Sequence, residues 1–501
     1  MRVSSVSLST VLAVVLAGPV FAADVAKRPP PVAEPIAVPL SLWSGFYVGA
    51  NAGVGGGKVD YPVGIAAGPL AVAGSAGMNA AGMIAGVQAG YNWVFPNRIL
   101  AGIEADFGWS NLEDKLSAGG TLTSGGVPIG SAGAAVGSRL DYLGTVRGRL
   151  GYIVTDPWLV YLTGGWAWGS VNSFYSAGIV GGPSVAGDVS KNMSGWAAGI
   201  GTEYAITPDI SFRAEYLHVD LGSANLAALA VGPVAASVRV APAYDFVRAG
   251  VNYRFGGTGS STAMQPSAFT APRNFDWTGL HIGVNGGYGM GTHDYPITAT
   301  LGAVGISGKA AGDASGFLGG AQIGYDLQLS NHIVVGLEAD FDWADIKGPL
   351  SAGGSASIGG VPLGSATASV GTALDYIGTV RGRIGYAVGD PWLVYATGGW
   401  AYGGTTSSAG IDIPGVFTGG LSRKRDHSGW VAGLGTEFAV TPNLTLRAEY
   451  MHVDFSSETL LALTLGGAAA RIKVDPSYDI VRVGMNYKFD FGGSSPVFAK
   501  Y

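Results

Sequence analysis

The feature that most constrains this chain is a repeat held in one register. WSGFYVGANAGVG begins at Trp43 and returns as WTGLHIGVNGGYG at Trp277, an offset of 234 residues. At the same offset LDYLGTVRGRLGY (Leu140) returns as LDYIGTVRGRIGY (Leu374), and PWLVYLTGGWAWG (Pro157) as PWLVYATGGWAYG (Pro391). FRAEYLHVDL (Phe212) and YDFVRAGVNYRF (Tyr244) return as LRAEYMHVDF (Leu446) and YDIVRVGMNYKF (Tyr478). One offset for every anchor means that the segments between anchors also have equal net lengths. Whatever one copy folds into, the chain contains it twice.

Within a copy, alternation of period two recurs between turn signals. It predicts strands near 43–57, 80–95, 99–112, 138–153, 158–172, 192–206, 210–222 and 241–255. Pro96-Asn97, Asp156-Pro157 and Pro208-Asp209 mark tight connections, whereas 58–79, 113–137, 173–191 and 223–240 read as long loops of Gly and Ala. Short turns at one end and long loops at the other are the pattern of a transmembrane barrel, with the short turns periplasmic.

Composition narrows the choice further. Only 12% of residues are charged and 84 are Gly. Beyond the N-terminus no apolar run is long enough for a helix to cross a bilayer. In lipid the remaining way to satisfy the backbone is a closed barrel. A soluble Gly-rich β-protein is the alternative, and aromatic placement argues against it. Trp158 and Trp166 share a face, as do Trp196 and Tyr204. Their spacing separates them by roughly 20 Å at barrel tilt, about one hydrophobic band.

The chain therefore divides into a signal peptide (1–22), a Pro-rich periplasmic tether (23–42), a first barrel (43–255), a linker (256–275), a second barrel (276–489) and a C-terminal extension (490–501). Arg2, the apolar run from Leu8 to Val20 and Val20-Phe21-Ala22 carry the export signal, which implies the cell outer membrane as destination. The absence of Cys fits passage through an oxidising periplasm without disulfides. A net charge of −6 without a basic stripe excludes nucleic acid as a partner. The expected fold class is all-β: two tandem eight-stranded antiparallel transmembrane barrels, with one sixteen-stranded barrel as the alternative.

Charges on the inward faces carry the functional reading. In the fourth strand, Leu140, Tyr142, Gly144, Val146, Leu150 and Tyr152 are assigned to one face and Asp141, Thr145, Arg147 and Arg149 to the other. Copy one places Glu104, Asp106, Asp141, Glu203 and Glu215 against Arg147, Arg149, Arg213 and Arg248. Copy two repeats all nine with Glu338, Asp340, Asp375, Glu437 and Glu449 against Arg381, Arg383, Arg447 and Arg482. An eight-stranded barrel is just wide enough for its side chains to fill it, and buried charges must be paired. Near balance of sign predicts an ion-pair plug. A porin-like pore is the rival if all strands share one wide ring.

Other motifs are weaker. Arg248, Gly250, Tyr253 and Phe255 fit a polar-x-Gly-x-x-aromatic-x-aromatic barrel-assembly signal, repeated as Arg482, Gly484, Tyr487 and Phe489. His218 and His452 hold equivalent places beside Asp220 and Asp454 near the outer rim, where they read as polar-belt residues, with a triad or metal site as the rival. No Ser sits near them in a nucleophile motif, and no catalytic, metal or cofactor site is expected.

The set W-[ST]-G-x-Y-x-G-x-N at Trp43, GIEADF at Gly102 (GLEADF at Gly336), GTVRGRLGY at Gly144 and RAEYLHVDLG at Arg213 resembles the alphaproteobacterial family of small outer-membrane barrels. That family includes the major surface antigens of Brucella and the hemin-binding proteins of Bartonella. Its members usually hold one barrel, so the duplication departs from the pattern. The resemblance implies an abundant surface protein that supports envelope integrity; from its hemin-binding members it also implies, as a second alternative function, binding of heme or another ligand at the cell surface, for which His218 and His452 are the candidate residues. Its partners would be outer-membrane lipid, lipopolysaccharide, the barrel assembly machinery, and host or environmental surfaces.

Overall fold

A computed structural model describes residues 42–124, 126–231, 234–255, 275–301, 303–358, 361–389, 391–465 and 468–489. The expected signal peptide, nearly all of the tether, the linker through residue 274 and the extension 490–501 lie outside the described residues. Every regular element among those described is a β-strand. Copy one comprises β1 (Gly45–Ala67), β2 (Leu70–Val94), β3 (Ile99–Ser124), β4 (Val127–Thr155), β5 (Trp158–Ile179), β6 (Ser184–Ala205), β7 (Ile210–Asp220), β8 (Ala224–Val231) and β9 (Val234–Arg254). Copy two comprises β10 (Gly279–Leu301), β11 (Val304–Gln328), β12 (Ile333–Ile358), β13 (Val361–Ala387), β14 (Trp392–Ile413), β15 (Phe417–Ala439), β16 (Leu444–Phe455), β17 (Glu458–Leu465) and β18 (Ala468–Phe489).

β7 and β8 pair with successive stretches of β9 and act as one interrupted strand. β16 and β17 do the same against β18. Each copy thus supplies eight staves, all paired antiparallel. β1 pairs with β9 from Tyr47↔Arg254 to Ala67↔Val234. β10 pairs with β18 from Leu280↔Phe489 to Leu301↔Ala468. The first and last strands of each copy are therefore bonded to one another. A single sixteen-stranded ring would seat β9 beside β10, a ladder that does not occur among the described residues.

The copies meet at their outer ends. β2 and β3 pair only from Val94↔Leu100 to Ala80↔Asp114, and β11 and β12 only from Gln328↔Val334 to Ser315↔Lys347. Beyond those points the strands part. β3 then pairs with β11 (Leu116↔Gly312 to Ser124↔Val304), and β2 with β12 (Gly77↔Ser351 to Leu70↔Ile358).

Alternation sorts side chains as a lipid-facing wall requires. In β7, Ser211, Arg213, Glu215, Leu217 and Val219 are buried, while the intervening residues face out. The aromatic girdles are built from directly paired residues: Trp158↔Tyr204 at the inner end, Trp166↔Trp196 at the outer. Copy two matches them with Trp392↔Phe438 and Trp400↔Trp430. The membrane-spanning part of each strand lies between these girdles.

Two expectations are corrected. The four Gly/Ala-rich segments are not long loops but outer halves of hairpins; β1 and β2 pair without a break out to Ala67↔Leu70. Small side chains erase the amphipathic contrast that marks a strand, although their backbones pair like any other. The second correction concerns strand four. The β4–β5 register slips between Leu140 and Tyr142, and the β13–β14 register between Leu374 and Tyr376. A bulge shifts the face assignment by one residue. Leu140 consequently points inward with no exposed surface. Asp141 is turned out to Arg139 at 2.9 Å, and Asp375 to Thr406 at 2.5 Å.

Because the chain lacks Cys, closure can be read by engineered disulfides. Ala50 and Val251 are register partners, within the Cα separation a disulfide needs. The variant Ala50→Cys/Val251→Cys is expected to oxidise readily, measured as loss of free thiol in the folded protein. Val251→Cys/Val284→Cys, the pair a sixteen-stranded ring would form, is expected to keep both thiols.

Candidate functional site

Each barrel interior is filled in three layers. The floor of copy one is apolar: Trp43, Leu100, Ile153, Leu159, Tyr161 and Ala205 pack together. Trp43 lies just before β1, donates its indole N–H to the Asp156 carbonyl at 2.8 Å and stacks beneath Arg254, 4.5 Å from the ring. In copy two, Phe275, Trp277, Val334, Ala387, Leu393, Tyr395 and Ala439 form the floor.

Above the floor lies the charged layer. Arg147 on β4 donates to Glu104 and Asp106 at 2.7 Å each and to Glu215 at 3.0 Å. Arg213 donates to Glu104 at 2.6 Å and also to Glu215. Arg248 reaches Glu215 at 2.6 Å and Asp106 at 3.2 Å, and Arg149 reaches Glu203 at 2.9 Å. All eight side chains are buried. Copy two repeats the arrangement: Arg381 meets Glu338 (2.6 Å), Asp340 (2.7 Å) and Glu449 (2.9 Å). Arg447 meets Glu338 (2.7 Å), Arg383 meets Glu437 (3.0 Å), and Arg482 meets Asp340 (2.8 Å). Eight of the nine charges named in each copy are thus brought together; Asp141 and Asp375 are excluded by the bulge.

Several members escaped the sequence reading. Tyr47 donates to Glu104 at 2.7 Å, Tyr161 to Glu215 at 2.9 Å, and Arg254 approaches Glu203 at 3.9 Å. Copy two adds Asp326, Asp342 and His281; His281 lies 3.3 Å from Glu338 and 3.5 Å from Asp326. The signal was available: Arg254 is in phase with Arg248, and His281 stands at the repeat offset from Tyr47.

The ceiling is apolar again. Ile84, Leu112, Leu140, Leu143, Leu217, Val219 and Phe246 are among its members in copy one, and Leu318, Ile346, Leu374, Ile377, Val431, Met451, Val453 and Ile480 in copy two.

His218 and His452 lie elsewhere, on the outward face. The partner of His218 is not adjacent Asp220 but Asp245 across the β7–β9 ladder, at 2.8 Å, where Tyr216 also donates at 2.6 Å. His452, Asp479 and Tyr450 repeat this at 2.8 and 2.6 Å. Trp196 and Trp430 lie tilted against the two imidazoles, ring centroids 5.2 and 5.3 Å apart. On the closing strands, Tyr253 and Phe255 project outward 5.2 Å apart, as do Tyr487 and Phe489 at 5.1 Å. Gly250 lies where an added Cβ would come within 2.7 Å of the Ala50 carbonyl, so the lumen tolerates no side chain there.

Outward of the exposed aromatics Trp109 and Phe317 sit two carboxyls, Asp114 buried and Asp313 partly buried. Asp114 accepts from Tyr61 at 2.5 Å and from the Ser138 N–H at 2.9 Å. Burial nevertheless pushes its pKa up to about 7. Asp313 accepts from the Lys115 N–H at 3.0 Å and is likewise pushed up to about 7 by burial.

A family model described as outer membrane protein beta-barrel domain matches residues 11–255 and 292–489. The 31 kDa outer-membrane immunogenic protein of Brucella melitensis biotype 1 is 36% identical over 231 residues, 45% of this chain and 90% of the relative. The 22 kDa outer membrane protein of Rhizobium leguminosarum bv. viciae is 31% identical over 185 residues, 37% of this chain and 67% of the relative. Among solved structures, a FadL homologue of Pseudomonas aeruginosa aligns over 88% of this chain and 90% of its own at 12% identity and a TM-score of 0.22.

Removing Glu104 takes one carboxylate from each of Arg147, Arg149 and Arg213 and leaves an uncompensated charge in a dry interior, and breaking a buried pair costs roughly 3–5 kcal/mol. Glu104→Ala is expected to lower the temperature at which heat-modifiable gel migration is lost, and Glu338→Ala to do the same through copy two. Asp114 and Asp313 set a pH dependence. Their folded pKa values exceed the unfolded ones, so their stabilising contribution is present in acid and lost as pH rises from about 4 through 7. The same midpoint should fall between pH 4 and pH 8, and Asp114→Asn/Asp313→Asn should flatten that slope.

Proposed function

The chain belongs to the outer-membrane β-barrel protein family, and from that premise we propose that it is a structural surface protein whose barrels are sealed. Its work is to brace the outer membrane and to present the outer strand extensions to lipopolysaccharide and to host or environmental surfaces. The observation that carries this reading is the lumen: Arg147, with no exposed side-chain surface, is shared among Glu104, Asp106 and Glu215, between two apolar layers. Charges matched this closely are held by one another and leave little field for a permeating ion.

Transport as a diffusion porin would need a water-lined path. The apolar floor at Trp43 and the apolar ceiling at Leu140 and Phe246 are the wrong lining for one. The exposed aromatic pairs of the two closing strands support delivery to the membrane by the barrel assembly machinery.

Proteoliposomes containing the full chain test the sealed reading. Their swelling rates in small sugars and amino acids are expected to equal those of protein-free vesicles. Solute-dependent swelling comparable to that of a diffusion porin would overturn it. In cells, loss of the chain is expected to raise sensitivity to detergent without slowing solute uptake.

A further inference from the structure

The outer ladders between the copies hold a regularity that neither copy explains alone. The β2–β3 register runs Val94↔Leu100 to Ala80↔Asp114. Continued outward one residue at a time, it would set Leu70 opposite Ser124 and Ala73 opposite Thr121. Instead Leu70 faces Ile358, and Ser124 faces Val304. Ile358 and Val304 are the copy-two counterparts of Ser124 and Leu70 at the repeat offset of 234. Each outer segment has kept its register and changed its partner. We propose that the outer halves of the β2–β3 and β11–β12 seams are a homotypic strand-exchange surface whose partner is a second barrel of this same repeat, here tied in the same chain.

Side chains at the crossover match the exchanged state. Asn79 and Asp313 are counterparts in the repeat. The Asn79 amide donates to the Lys347 carbonyl of copy two at 2.6 Å. The Asp313 carboxylate, which only accepts, takes the Lys115 N–H of copy one. Each residue type therefore suits the backbone group that parting strands leave unpaired on the other copy.

Below the crossover the walls touch. Val54 is buried with Tyr288 and Met290, and Tyr216 meets Phe317 edge-on at 5.6 Å. A Cβ on Gly56 would come within 2.4 Å of the Ser315 Oγ, so a small residue is needed where the copies approach. The exchanged segments themselves are mainly Gly, Ala, Ser and Thr, which makes either partner sterically acceptable. Linkage in one chain then favours the exchange by raising the effective concentration of the second copy. The duplication becomes intelligible as the covalent form of a strand-exchanged pair with a shared outer rim.

Four double-cysteine variants of the full chain decide this, each with a protease site inserted between residues 256 and 274. Ala73→Cys/Ser355→Cys and Thr121→Cys/Ser307→Cys join register partners across the copies. Ala73→Cys/Thr121→Cys and Ser307→Cys/Ser355→Cys join positions that would meet if each seam closed at home. Only variants with heat-modifiable migration are oxidised, cut and run without reductant. The cross-copy variants are expected to hold both halves in one band that reductant splits, and the home variants to keep thiols open to maleimide. Oxidation of the home variants, alone or in yield equal to the cross-copy variants, would overturn the exchange. A product larger than one chain would overturn the assignment of the partner to the same chain. Swelling of vesicles would leave this test unaffected, so it is separable from the sealed reading.

Discussion

An eight-stranded ring in lipid leaves no water to solvate what points inward, and the rest of this structure follows from that constraint. The backbone is satisfied by closing each copy on itself. The side chains must then fill the interior, and any charge among them must find its counter-charge there. Arg dominates the cationic side because its planar fork serves several carboxylates at once; Arg147 with Glu104, Asp106 and Glu215 is the clearest case. Placing the charges between a Trp43 floor and an apolar ceiling removes water from both ends.

The two copies obey this rule with different residues, which is where the duplication has diverged. Tyr47, Asn92 and Gly108 of copy one become His281, Asp326 and Asp342 of copy two. Two added carboxylates would be expensive in a dry lumen without cations beside them. Asp326 has His281 at 3.5 Å and Arg383 at 3.4 Å, and Asp342 has Arg482 at 2.7 Å. The replacement of tyrosine by histidine thus places an imidazole beside the added Asp326. Network members change together because each is the solvent of the others.

Much of this was legible in the sequence because it rests on period and register. The repeat offset, the eight staves per copy and the paired carboxylates and arginines are consequences of alternation between an apolar and a polar face. What was hidden had no such contrast. Gly, Ala and Ser in 58–79 and 113–137 look like loops on either face, yet their backbones extend β1 to β4 well past the girdles. The bulge at Asp141 changes one residue's face without changing composition. The Asp245 partner of His218 and the crossover near Asp114 depend on which strands become neighbours across the sheet, and a repeat makes two choices equally good in sequence.

Single-channel recording of the full chain in planar bilayers tests the central claim most directly, because it reads the lumen rather than the wall. A sealed pair of barrels predicts a flat baseline at moderate voltage, without sustained steps. Regular nanosiemens-scale openings, persisting in a preparation whose heat-modifiable migration shows it to be folded, would contradict the account.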